Sequence, residues 1–158
     1  MKYISLIIPS KNESLSLGEV LKELKKFKIV NEIIVVVDSE EDNSISICKE
    51  HNCKYLIQKK KGYGSAIIEG FKIASNEYGC IFNADFSFEP KYLETMLNKT
   101  IDYDFIFGSR YLKNASSDDD DFITFIGNKC FSFFSHVPPF VCFVVLFFEA
   151  TRWSTSCI

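Results

Sequence analysis

Short apolar runs that end abruptly in polar residues recur along the chain. Tyr3-Ile4-Ser5-Leu6-Ile7-Ile8 stops at Pro9, and Ser10-Lys11-Asn12-Glu13 follows. Glu32-Ile33-Ile34-Val35-Val36-Val37 stops at Asp38, ahead of Ser39-Glu40-Glu41-Asp42. Gly79-Cys80-Ile81-Phe82 gives way to Asn83-Ala84-Asp85-Phe86-Ser87, and Asp104-Phe105-Ile106-Phe107 to Gly108-Ser109-Arg110. Each run reads as a buried strand, as does Lys54-Tyr55-Leu56-Ile57. Segments with helical spacing lie between them. Leu17, Val20, Leu21 and Leu24 fall at i, i+3, i+4 and i+7, and Ser16 with Glu19 reads as a capping box in front of them. Ile67, Phe71 and Ala74 mark a second helix; Leu93, Met96 and Leu97, just after Pro90, mark a third.

This alternation predicts an α/β fold, a mostly parallel sheet flanked by helices on both faces. Such sheets bind ligands at the carboxyl ends of their strands. Asp38, Asn83, Asp85 and Arg110 would gather there.

Composition narrows the picture only a little. At 158 residues, 47% of them hydrophobic and 25% charged, the chain is long enough and apolar enough to bury a core. A net charge of -3 gives no support for a nucleic-acid partner. The apolar opening is too short for a signal peptide, and the six cysteines form no Cys-x-x-Cys pair, so a cytoplasmic, reduced chain is expected. Cys48, His51 and Cys53 lack a clear fourth zinc ligand. Ser116-Ser117-Asp118-Asp119-Asp120-Asp121 reads as a solvated acidic loop or a second cation site. From Val137 onward there is no Lys, and Pro138 and Pro139 precede the apolar stretch Phe140 to Phe148. That stretch falls short of the ~20 residues a membrane-spanning helix needs. The expected organisation is a domain over 1–136 and an atypical hydrophobic tail over 137–158.

Two clusters carry candidate chemistry. Asn83 and Asp85 are one position apart where a strand emerges, so their oxygens would converge on a hard cation, Mg²⁺ or Mn²⁺. An Asx turn closing the strand is the plainer alternative. In Gln58-Lys59-Lys60-Lys61-Gly62-Tyr63-Gly64-Ser65, the glycines allow close approach, while Lys61 and the following helix N-terminus favour an anion. A basic surface turn is the alternative there. Ile67 stands where a dinucleotide fingerprint needs a third glycine, and no Walker loop is present. Together these features point to a nucleotide diphosphate. A cation at Asp85 would bridge its phosphates, Arg110 would offer a fork of donors, and Asp38 would accept from a base or ribose. The same groups would stabilise a departing diphosphate, making Asp85 and Arg110 the candidate catalytic residues. His51 and His136 sit in no evident catalytic setting.

The ordered motifs Ile8-Pro9-Ser10-Lys11-Asn12-Glu13, Glu32 to Asp38, Lys61-Gly62-Tyr63-Gly64, Asn83-Ala84-Asp85-Phe86-Ser87-Phe88-Glu89-Pro90 and Gly108-Ser109-Arg110-Tyr111 resemble those of family-2 glycosyltransferases. The likeness covers roughly residues 1–136 and is strongest to the dolichyl-phosphate mannose synthase and polyprenyl-phosphate glycosyltransferase group. It implies a GT-A fold, a nucleotide-sugar donor, a divalent metal, an inverting single displacement and a lipid-phosphate acceptor at a membrane surface. It also implies that Pro9, Asn12 and Glu13 line the nucleotide pocket and that Asp38 contacts base or ribose. Asp85 matches the last acid of the Asp-x-Asp metal motif, Arg110 a phosphate contact, and Gly127-Asn128 a glycine–asparagine pair. Val37 and Asn83 stand where the family usually has acids, and relatives continue past position 136 with acceptor-binding helices. The alternatives are a truncated, catalytically impaired nucleotide-sugar-binding domain and a nucleotidyltransferase.

Overall fold

A computed structural model describes residues 2–85 and 87–108 together with the backbone of residues 148–149. By its contacts the chain divides into one unit of residues 1–106 with 145–158 and another of 107–144. Apart from Phe107 and Gly108, the described residues all belong to the first. Arg110, Gly127-Asn128, the acidic patch at 116–121 and all of 137–158 except 148–149 lie outside them.

The first unit runs β1 (Ile4–Ser10), α1 (Ser14–Leu24), β2 (Val30–Val37), α2 (Ser44–Glu50), β3 (Lys54–Ile57), α3 (Tyr63–Lys72), β4 (Tyr78–Ile81), α4 (Tyr92–Lys99) and β5 (Phe148–Glu149). The sheet order is β3-β2-β1-β4-β5. The first four strands are mutually parallel and β5 pairs antiparallel with β4, Gly79 opposite Phe148. Residues 148–149 were expected in the tail; they form the edge strand.

Strand periodicity sorts the core into two layers. Ile4, Leu6 and Ile8 of β1 join Ile33, Val35 and Val37 of β2 under α1, with Cys48 of α2 and Leu93, Met96 and Leu97 of α4. Ile7, Ile34, Val36 and Ile81 face the other way, onto Ala66 and Phe71 of α3. The sheet is therefore covered on both faces, and this is why its strands read as near-continuous apolar runs. Helix α3 approaches closely: a Cβ on Gly70 would lie 2.4 Å from Ile7 Cγ2 and 3.0 Å from Val36 Cγ2.

Several local expectations need correction. The first strand continues through Pro9 to Ser10, with Pro9 opposite Val36. Helix α1 begins at Ser14, and Ser16 Oγ donates to the Glu13 carbonyl at 3.4 Å, so the Ser16–Glu19 capping box lies inside the helix and caps nothing. Residues 104–108 form neither strand nor helix.

At the amino ends of the strands, buried Glu32 accepts hydrogen bonds from Ser5 Oγ, Lys54 Nζ and both the backbone and hydroxyl of Ser75. Burial opposes its ionisation, but these donors win and hold its pKa at about 2. This network ties the α3–β4 connection to the sheet at the end remote from the candidate site.

Candidate functional site

The register aligns the carboxyl ends of β1, β2 and β3, with Ser10 opposite Val37 and Val37 opposite Ile57. Phe82 N–H donates to the Ile7 carbonyl at 2.9 Å, bringing the end of β4 alongside. The turns that leave these four strands carry Asn12 and Glu13, then Asp38, then Lys61 and Gly62, then Asn83 and Asp85. Pro9 itself is half-buried in the ladder one step behind them.

The β1–α1 turn is shaped by an acid from the next turn. Asn12 has a φ of +56°, and its N–H donates to Asp42 Oδ2 at 3.1 Å. Asp42 Oδ1 accepts the Ser44 N–H at 2.8 Å, and Ser44 Oγ lies 2.9 Å from Ser10 Oγ. Burial pushes the Asp42 pKa up, but the hydrogen bonds from Ser44 and Asn12 bring it below its ordinary value. Glu13 moves the opposite way: burial, then the charges of Asp85 and Asp42, raise its pKa. Tyr63 is raised by burial and by Asp85 and Glu13.

Asp38 accepts from Gln58 Nε2 at 2.6 Å and pairs with Lys11 at 3.5 Å. Gln58 Oε1 is buried and has no partner among the described residues. Beyond it, Lys59, Lys60 and Lys61 are exposed, and Glu69 accepts the backbone N–H of Lys59 at 2.7 Å and of Lys60 at 3.1 Å. Gly62, with φ +122°, starts α3, so the positive helix end lies beside the lysines.

Asn83 and Asp85 do not continue the strand, whose ladder ends at Ile81. Asp85 Oδ1 accepts the Ser87 N–H at 2.9 Å, which is the Asx-turn alternative realised. Asn83 accepts from the Tyr63 hydroxyl at 3.2 Å through Oδ1 and donates from Nδ2 to Ser87 Oγ at 3.0 Å. Their nearness comes from the turn, not from strand alternation. Among the described residues no three His, Cys, Asp or Glu side chains could hold a metal ion by themselves. The donors present still suit a hard cation: exposed Asp85 and the Asn83 carbonyl with a second lone pair. Such a cation would complete its shell with phosphate oxygens and water. Burial first, then the charges of Cys53 and Asp42, push the Cys48 thiol up to about 12.

Sequence reasoning missed Asp42, Tyr63 and Gln58. Asp42 carried a usable signal, an acid two residues before a helix-opening Ser44. Gln58 and Tyr63 carried none, because their partners come from distant turns.

The family model described as "Glycosyl transferase family 2" matches residues 5–149. A dolichol-phosphate mannosyltransferase of Pyrococcus furiosus is 33% identical over 123 residues, covering 71% of this chain and 34% of that protein. Mannosyl-3-phosphoglycerate synthase from Rubrobacter xylanophilus superimposes with a TM-score of 0.73 at 16% identity, covering 96% of this chain and 54% of that one. Glucosyl-3-phosphoglycerate synthase from Mycobacterium tuberculosis, in complex with Mn²⁺, UDP and glucosyl-3-phosphoglycerate, gives 0.55 at 15% identity over 64% of this chain and 40% of that one. The present chain therefore spans about a third to a half of the length of these relatives.

Proposed function

The chain belongs to glycosyl transferase family 2, and from that premise we propose that it takes a nucleotide-diphosphate sugar at the carboxyl edge of its sheet. The sugar passes to a polyprenyl phosphate of dolichyl type by an inverting single displacement, with Mg²⁺ or Mn²⁺ bound. The observation that carries this reading is the alignment of the strand ends, which brings the turns bearing Glu13, Asp38 and Asp85 to one edge of the sheet with the lysine loop and the start of α3. Acids that repel one another favour a cation, and exposed lysines at a helix N-terminus favour phosphate.

Asp85 is the main protein ligand to the cation, and Asn83 lends its carbonyl oxygen. A bound Mg²⁺ or Mn²⁺ supplies Lewis-acid stabilisation of the departing diphosphate. Lys61 and the Gly62 backbone receive the phosphates. Asp38 accepts from ribose or base, and Pro9, Asn12 and Glu13 wall the pocket. Arg110, outside the described residues, gives a bidentate phosphate contact. A phosphate acceptor is ionised near neutral pH and needs little help from a general base. The name of the Pyrococcus furiosus relative supports a lipid-phosphate acceptor. Among the described residues no helix is long and apolar enough to cross a membrane.

A second reading is a domain that binds the donor without completing transfer. The family match leaves the nucleotidyltransferase alternative without support. A thermal-shift panel of nucleotide sugars, with and without Mn²⁺, tests donor binding by mass action. Radiolabel transfer to polyprenyl phosphate then separates the two readings. The absence of any Mn²⁺-dependent shift across the panel would overturn both.

A further inference from the structure

Three hydrogen bonds in series join the start of α3 to Asp85. The Tyr63 hydroxyl donates to Asn83 Oδ1 at 3.2 Å, Asn83 Nδ2 donates to Ser87 Oγ at 3.0 Å, and Ser87 N–H donates to Asp85 Oδ1 at 2.9 Å. The Tyr63 end of this series is itself anchored. Glu69 holds the backbone of Lys59 and Lys60, and Gln58 is tied to Asp38. Core packing does not account for the tyrosine, which is 59% exposed. Its placement is explained by the reach of its hydroxyl to another strand end.

We propose that Tyr63 is a positioning residue that sets the orientation of Asn83 and, through Ser87, of the Asp85 carboxylate, so that the lysine loop and the cation-binding turn respond as one unit to a nucleoside diphosphate. The inference rests on the nucleotide-sugar reading above and adds a residue that reading does not use. Asn83 is the hub because a side-chain amide can accept and donate at once. With its oxygen held by Tyr63 and one N–H held by Ser87, the plane of the amide is fixed. The lone pair left on Oδ1 then has a defined direction. A phosphate drawn to the lysine loop and a cation on Asp85 are thereby linked through side chains as well as through direct attraction, and each strengthens the other by the same factor.

The test uses the full chain and its Tyr63→Phe, Asn83→Ala and doubly substituted forms. Mn²⁺ binding is followed by the paramagnetic resonance of free Mn²⁺, with and without UDP or GDP. The Ser87 backbone amide is followed by NMR in the absence of any ligand. Tyr63→Phe is expected to weaken Mn²⁺ binding in the presence of the diphosphate about three- to tenfold, the worth of one hydrogen bond. It should also move the Ser87 resonance in the ligand-free protein. In the Asn83→Ala background it should do nothing more, because Tyr63 acts through Asn83. Tyr63→Phe removes one exposed oxygen, and an unchanged melting temperature verifies the fold. Wild-type affinity and an unmoved Ser87 resonance in Tyr63→Phe would overturn the inference alone. Additive losses in the double variant would also overturn it, by showing that Tyr63 touches the diphosphate directly. Wild-type protein that binds neither Mn²⁺ nor either diphosphate would bring down the nucleotide-sugar reading, and the inference with it.

Discussion

Asp42 holds Asn12 in its left-handed turn: Oδ2 accepts the Asn12 N–H at 3.1 Å while Oδ1 caps the start of α2 at Ser44. One carboxylate therefore fixes two of the turns that frame the site. Asp42→Ala leaves both N–H groups without that acceptor and is expected to cost about 2 kcal/mol in urea unfolding. Asn12→Gly should be nearly neutral at φ +56°, whereas Asn12→Val should lose ~1–2 kcal/mol to backbone strain. Equal stability of the two Asn12 variants would show that the turn relaxes freely.

Glu13 should act against stability at neutral pH. Its folded pKa lies above the ordinary 4.5, so the folded state holds the proton more tightly than the unfolded one. The resulting cost is full above the folded pKa and is relieved as pH falls through it. Glu13→Gln is expected to raise the melting temperature at pH 7, by an amount that shrinks as pH falls through the raised folded pKa and is gone below 4.5. A gain that stays constant with pH would mean that the charge is not its source.

Glu32 should act in the opposite direction. Its pKa drops from 4.5 to about 2 on folding, so its contribution is complete above 4.5 and lost as pH falls toward 2. Glu32→Gln should flatten this acid limb in pH-dependent melting. It should leave donor binding intact, because the network sits at the far end of the strands.

Asp85→Ala is expected to abolish the Mn²⁺-dependent thermal shift with nucleotide sugars. Asn83→Asp should hold Mn²⁺ more tightly, since added ligand charge favours a hard cation. An unchanged metal-dependent shift in Asp85→Ala would remove Asp85 from the ligand set.

Gly70→Ala places a Cβ 2.4 Å from Ile7 Cγ2. Helix α3 must then lift from the sheet, at an expected cost of about 1–3 kcal/mol. Because Tyr63 opens the same helix, Mn²⁺-dependent nucleotide binding should weaken as well. Melting curves and a donor titration on one sample would separate the two effects.

The parallel sheet was legible in the sequence because burial on both faces writes apolar runs directly into the strands. Lys54–Ile57 was bounded correctly, and Leu93, Met96 and Leu97 all lie buried in α4. The gathering of Asp38, Asn83 and Asp85 at one edge followed from strand ends, whereas Asn12 and Glu13 were placed beside them only by the family resemblance. What could not be read was which side chains meet. The Asn12–Asp42 and Tyr63–Asn83 bonds depend on how separate turns fold over one another, and no local period encodes that. Helix α2 was also missed. It buries only Ser44 and Cys48, too few apolar positions to set a pattern.

The pairing of Gly79 with Phe148 has a consequence for how the protein is made. Strands emerge from a ribosome in chain order, so β1 to β4 can assemble their parallel ladder well before the residues of β5 have been synthesised. Throughout that interval the outer margin of β4 presents unpaired N–H and C=O groups, a template for another growing chain. Nascent chains stalled between these two points are the species most exposed to pairing with one another on a polysome. Slowing translation over that span should lower the soluble yield without altering any residue of the finished protein.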